Sequence, residues 1–251
     1  MNRRFLRSLV RFLGFDGMAR DRFDRLAAAG DAAPTLPRAL RQFFTLYVAN
    51  TPELFLVQLG ANDALRDDHC SFMREHPKVT SLLVEPQRAC VEKLQRAATQ
   101  NPRWRILPHA FGEQDGTAQF FRFGADAEKG IQLDVFASFD RRRLEEPKRH
   151  FQLQAPIIAE TIETCTLPTL LARGGLPRLD VLVCDIEGLD HLVIRQLALL
   201  RPLPVIVVFE QRWLTARQRL ETYRLLDSLG YSVLHGTEDA WCFRLRAEDE
   251  T

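Results

Sequence analysis

Leu54-Phe-Leu-Val-Gln-Leu-Gly-Ala-Asn-Asp-Ala64 is the stretch that decides the fold: an apolar run breaks at Gly60 into small and polar residues, and a helical pattern then resumes over residues 65–74. A strand buried on both faces has this unalternated signature, and ligands of open α/β sheets bind where such strands end. The stretch reads as strand, turn and helix, with a cofactor crevice at Gly60. Glycine there lets the backbone turn sharply and approach a ligand without a side-chain clash.

Outward from this unit, strand-like and helix-like runs alternate. They are residues 81–84 and 87–99, 104–107, 157–165 and 168–173, 179–184 and 189–200, and 204–209 and 214–229. Such alternation predicts βαβ units on a parallel sheet. Residues 231–234 and 241–245 flank a polar turn and read as a terminal antiparallel hairpin. Residues 117–123 read as an extra or edge strand. Residues 124–156 carry Arg141-Arg142-Arg143 and Lys148-Arg149-His150 but no strong strand signal, and are expected to form a substrate-side insertion. Its basic run reads as a solvated helix face, with a grip on an anionic substrate as the lesser reading. Residues 18–50 are helical in pattern, broken at 34–37. The domain expectation is therefore a helical extension over 1–50 and one domain over 51–251 with an insertion at about 124–156.

At 251 residues and 46% hydrophobic content the chain can bury one substantial core. A net charge of +1 and a pI near 7.7, with both signs interspersed, argue against a nucleic-acid partner and favour metabolite-scale chemistry. Cys70, Cys90, Cys165, Cys184 and Cys242 are scattered without paired spacing. They read as reduced thiols, which suits the cytoplasm. No run approaches a membrane span. In residues 1–13, Arg3, Arg4, Arg7 and Arg11 alternate with Phe5, Leu6, Leu9, Val10, Phe12 and Leu13. That amphipathic helix is expected to pack on protein, with contact to an anionic membrane surface as the minority reading. Homo-oligomerisation is left open.

Neither G-x-G-x-x-G nor G-x-x-x-x-G-K-[ST] occurs, which removes the main support for dinucleotide and nucleoside-triphosphate binding. Glu85 ends the next strand, directly before Pro86. A carboxylate there can accept both hydroxyls of a ribose, or can face the N-terminus of the following helix. Cys184-Asp185-Ile186-Glu187-Gly188 delivers two acids into a turn. They could orient a cationic cofactor, deprotonate a hydroxyl or bind a metal, or merely cap a helix. Glu210 ends the strand after that, with Arg212 as an alternative partner. Three adjacent strands are thus expected to end in acids on one rim. Among the histidines, His109 follows a strand and is the best site candidate. His69, His76, His150, His191 and His235 show no ligand spacing, so no metal site is specified.

Val57-Gln-Leu-Gly-Ala-Asn-Asp63, Leu83-Val-Glu-Pro86, Ala137-Ser-Phe-Asp140 and Leu179-Asp-Val-Leu-Val-Cys-Asp-Ile-Glu-Gly-Leu-Asp190, followed by Phe209-Glu210 and Leu229-Gly-Tyr231, together resemble the FkbM-type methyltransferases. The resemblance runs from about residue 55 to 245. It implies a Rossmann-like class I methyltransferase: an α/β fold with a mostly parallel seven-stranded sheet, here with the C-terminal hairpin and N-terminal helical cap read above. It implies S-adenosylmethionine (SAM) as cofactor, with Gly60, Ala61 and Asn62 facing the methionine part. Glu85, next to Pro86, would take the ribose hydroxyls, and His109 and Ala110 would flank the adenine. Asp185 would lie near the amino or methyl end of the cofactor, with Glu187 and Glu210 toward the substrate. Gln58 stands where many SAM enzymes carry an acid, and can still hydrogen-bond an ammonium group. Ala64 stands where the third small residue is usually glycine.

The resulting expectation is a SAM-dependent O-methyltransferase acting on a hydroxyl of a small molecule or glycan, with Asp185, Glu187 or His109 as base. The alternatives are a non-catalytic SAM-fold binding or scaffold protein and, third, an NAD-dependent oxidoreductase.

Overall fold

The computed structural model describes residues 36–64, 70–236 and 238–244. Residues 1–13, the helical pattern before residue 36, residues 65–69 of the helix expected after Gly60, and residue 245 of the last strand lie outside the described residues.

Helix α1 (Leu36–Ala49) leads into β1 (Leu54–Leu59), all six residues of which are buried. Next come α2 (Ser71–Arg74), β2 (Val79–Val84), α3 (Arg88–Ala98) and β3 (Trp104–Leu107). The later part of the main sheet is β9 (Val181–Cys184), α6 (Asp190–Leu197), β10 (Ile206–Glu210), α7 (Ala216–Ser228), β11 (Tyr231–His235) and β12 (Asp239–Arg244). The sheet order is β11-β12-β10-β9-β1-β2-β3, with β12 antiparallel to both of its neighbours and the other pairs parallel.

The apolar run of β1 lacks alternation because both faces of the sheet are covered. Val57 and Leu59 join Leu182, Val207 and Phe209 under Leu167, Leu170, Val193, Ile194, Leu197 and Leu226. Leu54 and Leu56, pointing the other way, join Val181, Val183 and Val208 under Phe43, Phe44 and Val48 of α1 and Met73 of α2.

β1 lies between β9 and β2, so the acids Glu85, Asp185 and Glu210 do not end three adjacent strands as expected. Periodicity reports burial along one strand and carries no information on its neighbours. Residues 157–165 also depart from expectation. They form β8 (Ile157–Cys165), which belongs to a separate sheet of order β4-β8-β5 with β4 (Ala110–Phe111) and β5 (Gly116–Phe123). The segment between β5 and β8 is structured, with a hairpin of β6 (Ala127–Glu128) and β7 (Ile131–Gln132) and helix α4 (Arg142–His150). It closes on its own small core of Phe123, Leu133, Leu144, Leu153 and Ala155. α5 (Leu167–Gly174) follows β8 and stops at Gly175, whose φ of +62° is the left-handed conformation that glycine adopts without penalty. All five cysteines are free and buried.

Candidate active site

Parallel strands deliver their C-terminal ends to one edge, and the cleft there is bounded by the turns after β1, β2 and β9. Gln58, Gly60, Ala61, Asn62, Glu85, Pro86, His109, Ala110, Asp185 and Glu187 all line it. Gly60 has a φ of +74°, and a Cβ there would stand 1.9 Å from the Asp185 carbonyl oxygen. Its missing side chain therefore admits the end of β9 against the end of β1, a reason more immediate than room for a ligand. The N–H groups of Gly60 and Ala61 both donate to Val84 O, at 3.0 and 3.1 Å. Asn62 and Ala64 are also left-handed, at +48° and +50°. Ala64 thus occupies a conformation in which glycine is more comfortable.

Glu85 is 3% exposed. Its Oε2 accepts from the Asn62 N–H at 2.9 Å and its Oε1 from the Gln87 N–H at 2.8 Å. Burial raises its pKa to about 7, against the pull of these backbone donors. Two backbone bonds leave lone pairs on both oxygens, so the carboxylate can accept two further donors.

Asp134 closes the wall opposite. Its carbonyl accepts from Gln87 Nε2 at 2.8 Å and Asn62 Nδ2 at 3.3 Å, and its carboxylate pairs with Lys93 at 3.3 Å. Val135, Ala137, Ser138 and Phe139 continue that wall. Sequence reasoning missed Asp134 and Gln87. The Ala137-Ser-Phe-Asp140 motif was the one signal that this part of the insertion faces the cleft. Arg74, too, carries no mark of a site within its helical pattern. It is buried, and its Nη1 donates to Gln58 Oε1 at 3.2 Å while Nη2 donates to Ala64 O at 3.1 Å.

His109 sits at the far rim, where its Nε2 meets Glu163 Oε2 at 3.1 Å and Arg173. Its Nδ1 is buried, with no hydrogen-bond partner among the described residues.

At the other end of the cleft stand Asp185 and Glu187; Glu210 does not line it, but each of the three brings one carboxylate oxygen within 4.8 Å of the others. Glu187 adopts a left-handed φ of +56°. Burial and then the nearby Asp185 carboxylate raise its pKa to about 7, with Arg143 and Arg212 opposing. Burial and then Asp185 also hold the Glu210 carboxyl far above the carboxylate range. Asp190, fully buried at the start of α6, is raised to about 7 for the same two reasons, although its Oδ2 accepts from the Gly188 N–H at 3.1 Å. Arg212 does not pair with Glu210; it pairs with Glu238 at 3.2 Å and stacks on Trp213. Arg143 stacks on the same indole and lies against Gly188, where a Cβ would stand 2.3 Å from Nη2. The rest of the basic run is a helix face tied mainly to its own segment, as in Arg142 to Asp140 at 2.8 Å and Arg141 to Glu145 at 3.3 Å.

A seven-stranded sheet reversed only at β12, carrying a cleft at the ends of β1, β2 and β9, has the architecture of a class I methyltransferase. The chain belongs to the FkbM methyltransferase family, whose methyltransferase FkbM domain model matches residues 58–233. It is similar to a crystal structure of methyltransferase FkbM from Methylobacillus flagellatus KT, at 14% identity and a TM-score of 0.46, over 76% of this chain and 44% of that one. The chain thus spans less than half the length of that structure. It is also similar to precorrin-6y C5,15-methyltransferase from Geobacter metallireducens GS-15, at 11% identity and a TM-score of 0.40, over 85% and 92% of the two chains. Human methyltransferase 10 domain containing protein is similar at 8% identity and a TM-score of 0.43, over 79% and 75%. No curated protein matches the chain. Among the described residues, no helix is long and apolar enough to cross a membrane.

Proposed function

We propose that the chain transfers a methyl group from SAM to a hydroxyl of a small molecule or glycan. The observation that carries this reading is one cleft with two chemically different ends: Glu85 held by two backbone amides beside the Gly60 turn, and Asp185 and Glu187, with Glu210 close to them, at the other end. Bound there, SAM would supply a methyl group on a positively charged sulfur.

Gly60, Ala61 and Asn62 would hold the methionine part, with the Gln58 carboxamide beside it. Glu85 would accept the two ribose hydroxyls on its remaining lone pairs, and His109 and Ala110 would flank the adenine. Asp185, Glu187 and Glu210 would receive the acceptor hydroxyl. A carboxylate whose pKa burial brings near 7 can take a proton at neutral pH, and general-base assistance contributes on the order of 10²- to 10⁴-fold. Orientation of acceptor and methyl in one cleft contributes up to roughly 7 to 11 kcal/mol. Val135 and Phe139 on the opposite wall would help exclude water.

Calorimetric titration of the purified protein with SAM, followed by a methyl-transfer assay over hydroxylated acceptors, tests the reading. Saturable SAM binding that Glu85→Ala weakens is expected; a folded protein that binds no SAM would sink it. A second reading, a SAM-fold binding protein without turnover, draws on Gln58, whose Oε1 accepts from buried Arg74 where many SAM enzymes offer a charged acid. SAM binding with no transfer across the acceptor panel favours that reading.

A further inference from the structure

We infer that Asp134, a residue of the insertion, completes the cofactor end of the cleft: its main-chain carbonyl ties the side chains of Asn62 and Gln87 together and so fixes the two backbone N–H groups that present Glu85 to the ribose. Asn62, Gln87 and Asp134 are thereby positioning residues for SAM, acting through Glu85. The inference rests on the proposed function in taking Glu85 as the ribose acceptor. It goes further in giving the insertion, expected on the substrate side, a part in holding the cofactor.

Three observations carry it. First, the same two residues stand at both ends of the network. The N–H groups of Asn62 and Gln87 hold Oε2 and Oε1 of Glu85 at 2.9 and 2.8 Å, and their side chains meet again at a single atom, the Asp134 carbonyl oxygen, at 3.3 and 2.8 Å. A carbonyl oxygen has two lone pairs, so one atom can accept from both carboxamides. The closed ring joins the turns after β1 and β2 to the insertion.

Second, chemistry sets the orientation of each carboxamide. Asn62 Oδ1 accepts from the Asp63 N–H at 2.8 Å, which leaves Nδ2 to donate to Asp134. Gln87 occupies the N-cap position of α3, where a side chain commonly accepts from the first turn of the helix. It makes no such bond, and its Nε2 reaches Asp134 instead. Third, an ion pair backs the ring. Lys93 Nζ on α3 lies 3.4 Å from Asp63 Oδ2 and 3.3 Å from Asp134 Oδ2, and both carboxylates are buried. One ammonium thus draws the residue after Asn62, and Asp134 itself, toward the helix that starts after Gln87. A binding group works only when held within about 0.5 Å of its productive geometry by neighbours that are themselves locked. Asn62 and Gln87 lock Glu85, and Asp134 locks them.

Calorimetry of the full-length protein with S-adenosylhomocysteine and its 2′-deoxy analogue tests this. The wild type should bind the hydroxylated ligand roughly tenfold or more tightly, the worth of one hydrogen bond to a charged group. Asn62→Gly and Gln87→Leu each remove one tether and keep the backbone N–H, and glycine also accepts the left-handed φ of position 62. The Gln87 side chain favours the ionised Glu85 directly as well, so Asn62→Gly is the cleaner variant and Gln87→Leu the second if the first fails to fold. In each, the ratio of the two affinities should fall by about threefold or more, because a loosened Glu85 weakens the hydroxyl contact alone. A merely structural role would weaken both ligands alike and leave the ratio unchanged. A lower ratio in either folded variant supports the inference. An unchanged ratio in both, or a wild-type ratio near one, overturns it while binding of the cofactor product stands. A wild type that binds neither ligand removes the cofactor reading and the inference with it.

Discussion

Glu85 and Glu210 both end strands of one sheet and both lose solvent, yet their surroundings are opposites. Glu85 is gripped by the N–H groups of Asn62 and Gln87, supplied by the tight turns that follow β1 and β2. Glu210 feels the charges of Asp185, Glu187 and Asp190, and its Oε2 meets no donor among the described residues. Backbone donors offset part of the burial cost at Glu85, so that its carboxylate ionises near pH 7 and can then accept ligand hydroxyls. Buried acids crowded together hold protons more tightly, and are suited to handling an acceptor oxygen. The difference teaches that the same residue type at the same place in the topology acquires its chemistry from the loops beside it.

The sharpest way to break the comparison is to push its two halves apart. Gly60→Val would drive a Cβ into the Asp185 carbonyl at a left-handed φ. Overpacking together with the conformational penalty should destabilise the fold by about 3 kcal/mol or more, read from urea denaturation. A loss under 1 kcal/mol would show that β1 and β9 need not touch.

Glu85→Gln comes next. The carboxamide oxygen can satisfy one backbone N–H, while its NH₂ group faces the other donor. SAM affinity should fall roughly 10- to 100-fold, in line with hydrogen bonds to a charged group worth about 1.5 to 3 kcal/mol. Unchanged affinity by calorimetry would leave Glu85 a structural acid.

The pH dependence of Glu85 follows from the sign of its shift. Its folded pKa, about 7, lies above the unfolded value of 4.5, so the folded state binds the proton more tightly. Its contribution to stability is therefore greatest below pH 4.5 and is lost as pH rises to about 7. SAM affinity should run the other way, strengthening about tenfold from pH 6 to 8 as the carboxylate ionises. A flat affinity profile across that range would break the link between Glu85 and the ribose.

Glu210→Gln is the smallest expected effect and has the opposite sign. At pH 8, replacing an acid whose Oε2 has no donor among the described residues by an amide should stabilise the protein by about 1 kcal/mol, or roughly 2 to 4 °C in Tm. A drop in Tm would mean that Glu210 has a stabilising partner and that the two ends of the rim are alike.

Much of the main sheet was legible along the chain. The unalternated runs of β1, β2, β9 and β10 announce burial on both faces, and the breaks at Gly60, Glu85, Asp185 and Glu210 mark where the chain turns toward the cleft. The residues named for the cofactor end do line one cleft, because parallel strands share an edge. Less was legible where contacts are long-range. β8 alternates like any strand, and nothing in its pattern says that it pairs antiparallel to β5 outside the main sheet. Asp134 sits in a charged segment with no periodicity, and its role arises from Asn62 and Gln87 reaching its carbonyl.

By itself the sequence determined which segments form the strands and helices of the main sheet, which strand ends carry acids, and, through its ordered motifs, the family. Those features are local: burial period, turn chemistry and spacing are written residue by residue. Only the tertiary structure decided that β1 separates β9 from β2, that Arg74 stands behind Gln58, and that Asp185, Glu187 and Glu210 meet within 4.8 Å. Strand neighbours and the closeness of distant carboxylates are set by how whole faces pack. No local pattern encodes the choice among alternative pairings that bury the same apolar surface.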